Sequence, residues 1–307
     1  MAYALLFPGQ GTLHAEVLPW LDAAPEAQAV LAQVSARVAR DWRSRLADVD
    51  WRSTNAVAQP LVTGLSLAAW LALRPRLPPP EIVAGYSVGE LAAFACAGVF
   101  GWDDALDLAG RRAAAMDRVV ARLGFEGGLM AVDLPRASDF ERMRVRFALQ
   151  TAIEQAAGRR VVGGADDRLL AAADWIAAHG GLARRLEVRV PSHTAWMSPA
   201  VAEFDVSLVD VVFRPPGCPI ALDATGSASR KPAVLRNALS AQIAQAVRWQ
   251  ACSQAIAERG VTGVLEVGPG HALARLWRDA YPDIPARSVD EFRDAEAAAE
   301  WLLMRLG

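Results

Sequence analysis

Residues 82–96 read Ile82-Val83-Ala84-Gly85-Tyr86-Ser87-Val88-Gly89-Glu90-Leu91-Ala92-Ala93-Phe94-Ala95-Cys96. The apolar run Ile82–Ala84 has the composition of a short buried strand. The stretch from Glu90 has that of a helix. Between them stands a serine with a glycine two places away on either side, which is the layout of a nucleophile elbow. The reason is steric. The tight turn forces the serine into a strained backbone conformation, and only glycine at positions 85 and 89 lets strand and helix approach closely. The hydroxyl is then exposed above the strand, and the helix N-terminus faces any negative charge that develops there.

On either side of this elbow, strands alternate with helices. Ala4–Phe7 reads as a buried strand ending in Pro8-Gly9-Gln10-Gly11. Helical spacing follows over residues 24–40 and again over 56–73, the second behind Ser53, Thr54 and Asn55. Prolines between Pro75 and Pro80 break the chain before the elbow strand. Another helix follows Asp103 and runs to about Arg122. Gly127-Gly128 opens a different pattern, with strands at 129–132, 149–155, 160–162 and 182–190 and helices at 138–146 and 169–179. That β-α-β-β-α-β order matches a small ferredoxin-like unit. A helix near 199–209, a short strand at 219–223, helices over 233–259, a buried strand at 264–267 and a final amphipathic helix complete the chain. The sequence therefore predicts an α/β fold. Its core, residues 1–125 and 190–307, has a parallel sheet flanked by helices, and a ferredoxin-like α+β subdomain is inserted at 126–189.

Composition narrows the function classes. The formal net charge of the 307 residues is −2, which gives no electrostatic footprint for nucleic acid or an anionic membrane. No uninterrupted apolar run reaches the ~20 residues of a membrane span. The N-terminus lacks a basic n-region and turns into a Pro-Gly loop early, so a cytoplasmic, soluble protein is expected. Cys96, Cys218 and Cys252 are scattered, with neither metal-ligand spacing nor a disulfide framework, and no metal site is expected.

A serine nucleophile needs a base, and there are four histidines: His14, His179, His193 and His271. His179 precedes Gly180-Gly181 at a helix end, where it reads as a cap. His14 lies just past the first loop, and His271 follows a Gly-Pro-Gly turn. His193 follows Val190-Pro191-Ser192 at a strand end in the second half of the chain and is the favoured base. Asp205, Asp210, Asp223 and Glu266 all stand open as a third member, and a backbone carbonyl serves the same end. The amide of Val88 supplies one oxyanion donor by elbow geometry. The loop Pro8-Gly9-Gln10-Gly11 is the candidate for the second. Arg111 and Arg112 point about 100° apart on their helix, so at most one faces the serine, where it would select an acyl group bearing a free carboxylate.

Together these motifs resemble the malonyl-CoA:acyl-carrier-protein acyltransferase family. The resemblance covers essentially the whole chain. It rests on Phe7–Gly11, Gly85–Glu90, Arg112 four places before Met116, Gly128–Val132, Val190–His193, Gln242 upstream of Val247-Arg248-Trp249, and Glu266–Gly270, in the family's order and with family-like spacing. It implies that the α/β core is hydrolase-like, that Ser87 takes the acyl group, that His193 is base and then acid, and that the Gln10 and Val88 amides form the oxyanion hole. It further implies that Arg112 holds the malonyl carboxylate and that the Gln242 carbonyl orients the histidine. No bound cofactor is implied. The coenzyme A thioester is the substrate, and the phosphopantetheine-type thiol of an acyl carrier protein is the acceptor. Two positions depart from the family pattern. Tyr86 stands where histidine is usual before the serine, and Gln155-Ala156-Ala157-Gly158-Arg159 replaces the usual Asn-Ala-Pro-Gly-Gln, making Tyr86 and Gln155 candidate substrate contacts. The tyrosine looks like that of the epsilon subunit of malonate decarboxylase, which loads a dedicated carrier subunit. A fatty-acid or polyketide transacylase, a serine thioesterase or esterase, and a non-catalytic carrier-docking subunit are the alternatives.

Overall fold

The computed structural model describes residues 2–156 and 158–306. Ten strands form two sheets. In chain order they are β1 (Ala2–Phe7), β2 (Ile82–Gly85), β3 (Gly127–Asp133), β4 (Gln150–Ala156), β5 (Arg159–Ala165), β6 (Leu182–Arg185), β7 (Ile220–Ala221), β8 (Ala228–Ser229), β9 (Val261–Glu266) and β10 (Ala286–Ser288). The larger sheet has the order β10-β9-β1-β2-β7-β8. Its first five strands are parallel, and β8 closes the edge antiparallel to β7. Helices cover the sheet, so its strands read as unbroken apolar runs rather than alternating ones. Leu5, Leu6 and Phe7 of β1, and Ile82 and Val83 of β2, are all fully buried.

The helix Asn55–Arg76 is long and apolar enough to cross a membrane by length and composition, which the sequence reading did not anticipate. In the fold, 89% of its most apolar window is buried inside the protein. It is the central core helix. Among its buried polar side chains, Asn55, Gln59, Thr63 and Ser66, Gln59 is the largest that is completely buried.

The smaller sheet has the order β4-β5-β3-β6, antiparallel throughout. The helices Ala137–Arg146 and Asp166–Ala178 pack on it around Met130, Phe140, Met143, Leu169 and Ile176. Connectivity and strand order are ferredoxin-like. This unit is stitched to the larger one through Val247, whose carbonyl accepts from the Glu154 amide (2.8 Å) and whose amide donates to the Ala152 carbonyl (2.9 Å).

Two elements differ from the sequence reading. The strand expected over 182–190 ends at Arg185. Leu186 still donates to the Leu129 carbonyl, and the chain then leaves the sheet so that Val188 and Val190 enter the main core. The helix expected over 24–40 is two 3-10 turns, Pro19–Ala23 and Pro25–Ala27, followed by the helix Gln28–Arg37. A proline begins each turn, and the residue before a proline is steered out of the helical region. The helices expected over 233–259 are Pro232–Ala241 and Trp249–Ala257, with a break between them. That break frees carbonyls after residue 241 for other partners.

Candidate active site

The loops that follow β1, β2, β7 and β9 meet at one edge of the main sheet, the carboxyl end of its parallel strands, where open α/β sheets place their ligand sites. The elbow after β2 is built as its sequence requires. Ser87 has φ +57°, the left-handed region that a non-glycine residue occupies only when its surroundings enforce it. A methyl group on Gly85 would strike the backbone of Gly89 and Glu90, and one on Gly89 would strike the carbonyls of Phe7 and Pro8.

Ser87 Oγ lies 2.8 Å from His193 Nε2. The other ring nitrogen, Nδ1, is 2.5 Å from the Gln242 carbonyl oxygen. A carbonyl only accepts, so Nδ1 carries the proton and Nε2 is the free base facing the serine hydroxyl. Gln242 caps the helix Pro232–Ala241, so the break noted above puts its carbonyl there. His193 is itself at φ +62°, and its amide is tied to the Ile243 carbonyl. Asp205, Asp210, Asp223 and Glu266 make no hydrogen bond to the imidazole among the described residues. Asp223 accepts from the Ser87 amide (2.6 Å) and Glu266 from the Ala274 amide (2.8 Å). The other histidines lie elsewhere: His14 bonds Asp290, His179 caps its helix on the Trp175 carbonyl, and His271 is exposed at the start of the helix Ala272–Ala280.

Arg112 is fully buried beside this pair. Nη1 donates to Gln59 Oε1 (2.8 Å), and Nη2 reaches Gln242 Oε1 (3.2 Å) and Ser87 Oγ (3.3 Å). Among the described residues no carboxylate lies within ion-pairing distance of it, and its Nε has no partner. Arg111, one position on, is exposed. Burial pushes the guanidinium down to about 10, against upward pulls from Glu90 and Asp223. A buried cation held by neutral amides is a seat for an anion. Gln59 went unremarked in the sequence. A lone amide in the otherwise apolar run 57–62 was the signal.

The loop Pro8–Gly11 lies against the elbow, so closely that a side chain at Gly9 would meet the Tyr86 carbonyl at 2.7 Å. Gln10 is tethered through its side chain to Asn55, which is tethered to Asp117. Among the described residues neither the Gln10 nor the Val88 amide is engaged elsewhere. Tyr86 and Gln155 meet: Gln155 Nε2 donates to the tyrosine hydroxyl at 3.0 Å, and the ring packs edge-on against Trp249, with centroids 5.1 Å apart. Ala157 of the divergent loop lies outside the described residues. Both side chains line a cleft of about 610 Å³ between the two units, with Gln10, Val161, Arg184 and Arg275.

Burial, and then the charge of Arg112, push the His193 imidazole down to about 3, against a smaller upward pull from the Gln242 carbonyl. The base form therefore persists across the whole neutral and mildly acidic range. Labelling of Ser87 by a fluorophosphonate should show no acidic limb near pH 6.5, the ordinary histidine value. A rate that halves near that pH would contradict the geometry. The same burial costs stability in acid. Below about pH 6.5 the unfolded chain binds a proton that the folded chain refuses until near pH 3, so this contribution declines over that window.

The arrangement can carry acyl transfer through a serine ester. Comparison with known proteins agrees. Residues 6–301 match the acyl transferase domain family. The chain is 32% identical to the malonyl CoA-acyl carrier protein transacylase of Mycobacterium tuberculosis, over 96% of this chain and 99% of that one. The structure of the acyl-carrier-protein S-malonyltransferase of Bartonella henselae superposes with a TM-score of 0.89 at 27% identity, covering 98% and 99% of the two chains. A malonyl-transacylase solved in complex with a type II polyketide acyl-carrier protein gives 0.88 at 27% identity, covering 98% and 99%.

Proposed function

This chain belongs to the acyl transferase family, in its malonyl-CoA:acyl-carrier-protein transacylase branch, and from that premise we propose that it moves a malonyl group from coenzyme A to a carrier-protein thiol through malonyl-Ser87. The observation that carries the reading is the buried guanidinium of Arg112, without a carboxylate partner among the described residues, 3.3 Å from the serine oxygen beside a Ser–His pair. A thioesterase for uncharged acyl chains has no use for it, and a docking subunit has no use for the dyad.

His193 Nε2 takes the Ser87 proton as Oγ attacks the thioester carbonyl. The oxyanion rests on the amides of Gln10 and Val88. The C–S bond breaks, and the coenzyme A sulfur leaves with the proton from His193. The carrier thiol then gives its proton to His193 and attacks the serine ester; the ester C–O bond breaks, Ser87 Oγ takes the proton back from His193, and the malonyl group leaves on the carrier sulfur. Both thioester and thiol are substrates, so the reaction needs no bound cofactor. Arg112 does more than bind. Its charge opposes protonation of His193, and a malonyl carboxylate seated on it cancels that opposition. Acetyl-CoA leaves it in place.

We propose further that the acceptor is the carrier subunit of a malonate decarboxylase. Tyr86 before the serine supports this, and its hydrogen bond to Gln155 makes the two departures from the family pattern a matched pair. Carriers of fatty-acid or polyketide synthesis are the competing acceptors. Intact mass after brief incubation with malonyl-CoA should show one malonyl adduct on the wild type, little with acetyl-CoA, and none on Ser87→Ala. Adding each purified holo-carrier should discharge it, fastest to the decarboxylase subunit. Equal malonyl and acetyl adducts would defeat the malonyl assignment, and faster discharge to a fatty-acid carrier would defeat the finer one.

A further inference from the structure

The left-handed turn at Ser87 needs an acceptor for an amide that points into the protein rather than along a helix or strand. Asp223 supplies it. It stands two residues beyond β7, next to β2 in the sheet, and its Oδ2 accepts from the Ser87 amide at 2.6 Å. Its own main chain ties down the rest of the site. Its amide donates to Glu90 Oε1 (2.8 Å), on the helix that follows the elbow. Its carbonyl accepts from the Arg248 amide (2.8 Å), at the end of the segment that begins with Gln242. One residue thus links the nucleophile's backbone, the elbow helix and the chain that orients the base. Asp223 and Glu90 are both fully buried, and each leaves its second oxygen without a partner.

We propose that Asp223 is the positioning residue of the nucleophile: its carboxyl group holds the Ser87 amide, and with it the turn that aims the serine hydroxyl at His193. What the turn requires is an acceptor at this place, not a negative charge. A charge directly beneath Ser87 would oppose the oxyanion. Burial favours the neutral acid, holding both Asp223 and Glu90 well above the carboxylate range. An amide side chain is therefore an adequate replacement, and alanine is not.

The assignment rests on Ser87 being the nucleophile of the reaction proposed above, so its test uses a reagent that reads the serine without a malonyl group. A fluorophosphonate forms a Ser87 Oγ–P bond, releases fluoride and passes the hydroxyl proton to His193. Asp223→Asn should label within about threefold of the wild-type rate. Asp223→Ala should label ~10–100-fold more slowly, as expected when a reacting group is displaced by a fraction of an ångström to an ångström. The Kd of malonyl-CoA, measured with Asp223→Ala placed on a Ser87→Ala background, should change less than about twofold, because Arg112 and Gln59 are untouched. A general structural role would move binding and rate together. Should the alanine variant not fold, Asp223→Ser, whose hydroxyl is too short to reach the amide, is read in its place. Wild-type labelling by Asp223→Ala, or a loss in Asp223→Asn equal to that in Asp223→Ala, overturns the proposal. Labelling of the wild type without malonyl uptake defeats the functional reading instead and leaves the Asp223 comparison to decide as before.

Discussion

Arg112→Ala should lower kcat/KM for malonyl-CoA by about two to three orders of magnitude while leaving acetyl transfer unchanged or faster. The loss corresponds to about 3–4 kcal/mol, the range seen when one partner of a buried, hydrogen-bonded charge pair is removed. The acetyl result follows from the effect of Arg112 on the base. Burial first, and then the guanidinium, depress His193; an uncharged acyl group brings nothing to offset the guanidinium, so removing the arginine relieves that part of the depression. The variant should also melt no lower than the wild type. Arg112 is a buried charge with no carboxylate partner among the described residues, and its removal eliminates a desolvation cost even as Gln59 and Gln242 lose a donor. Steady-state kinetics with both thioesters, alongside thermal melts, check this. Parallel loss of malonyl and acetyl transfer would remove Arg112 from the specificity role.

Gly85→Ala should be the most damaging single methyl group in the chain. The new carbon would fall on the backbone of Gly89 and Glu90, and no rotamer can relieve a main-chain collision. Overpacking typically costs about 1–3 kcal/mol. This case should lie at or beyond the upper end, because strand, turn and helix all have to shift. Activity should fall at least about a hundredfold even in the fraction that folds, since the Ser87 oxygen would leave its 2.8 Å contact with His193. Denaturant titration and fluorophosphonate labelling measure the two effects separately. A variant as stable and reactive as the wild type would mean that the elbow is far more yielding than its contacts imply.

What the sequence made legible follows from how local each signal is. The elbow is written in nine consecutive residues, Ile82–Glu90, because its geometry depends on close approach within one turn. The alternation of strands and helices was likewise readable, as was the ferredoxin-like unit, because each element carries its own periodicity. Partners that meet only through tertiary folding were not readable from spacing. Asp223 and Glu266 looked equivalent as candidate acids. Only the sheet order, which sets β7 beside β2, brings Asp223 under Ser87, while Glu266 is spent on the helix after β9. The orienting role of Gln242 is a main-chain contact, invisible in side-chain chemistry, and came from family resemblance alone. The hydrogen bond from Gln155 to Tyr86 spans the two units, and neither residue alone announces it.

Two of the contacts between the units differ in kind. Along one, Val247 exchanges main-chain hydrogen bonds with the strand edge at Ala152 and Glu154, only five residues beyond the carbonyl that holds His193. Across the other, the ion pair Arg159–Asp279 joins side chains that are each nearly half exposed, at 2.7 Å, a contact worth little in water and weakened by salt. The units are therefore bound like a book, with a main-chain spine at Val247 and, on the far side of the Gln155–Tyr86 hydrogen bond, a salt-sensitive clasp at Arg159. Raised ionic strength should therefore weaken the clasp, while the main-chain bonds at the spine and the Ser87–His193 contact near it are not surface ion pairs and should hold.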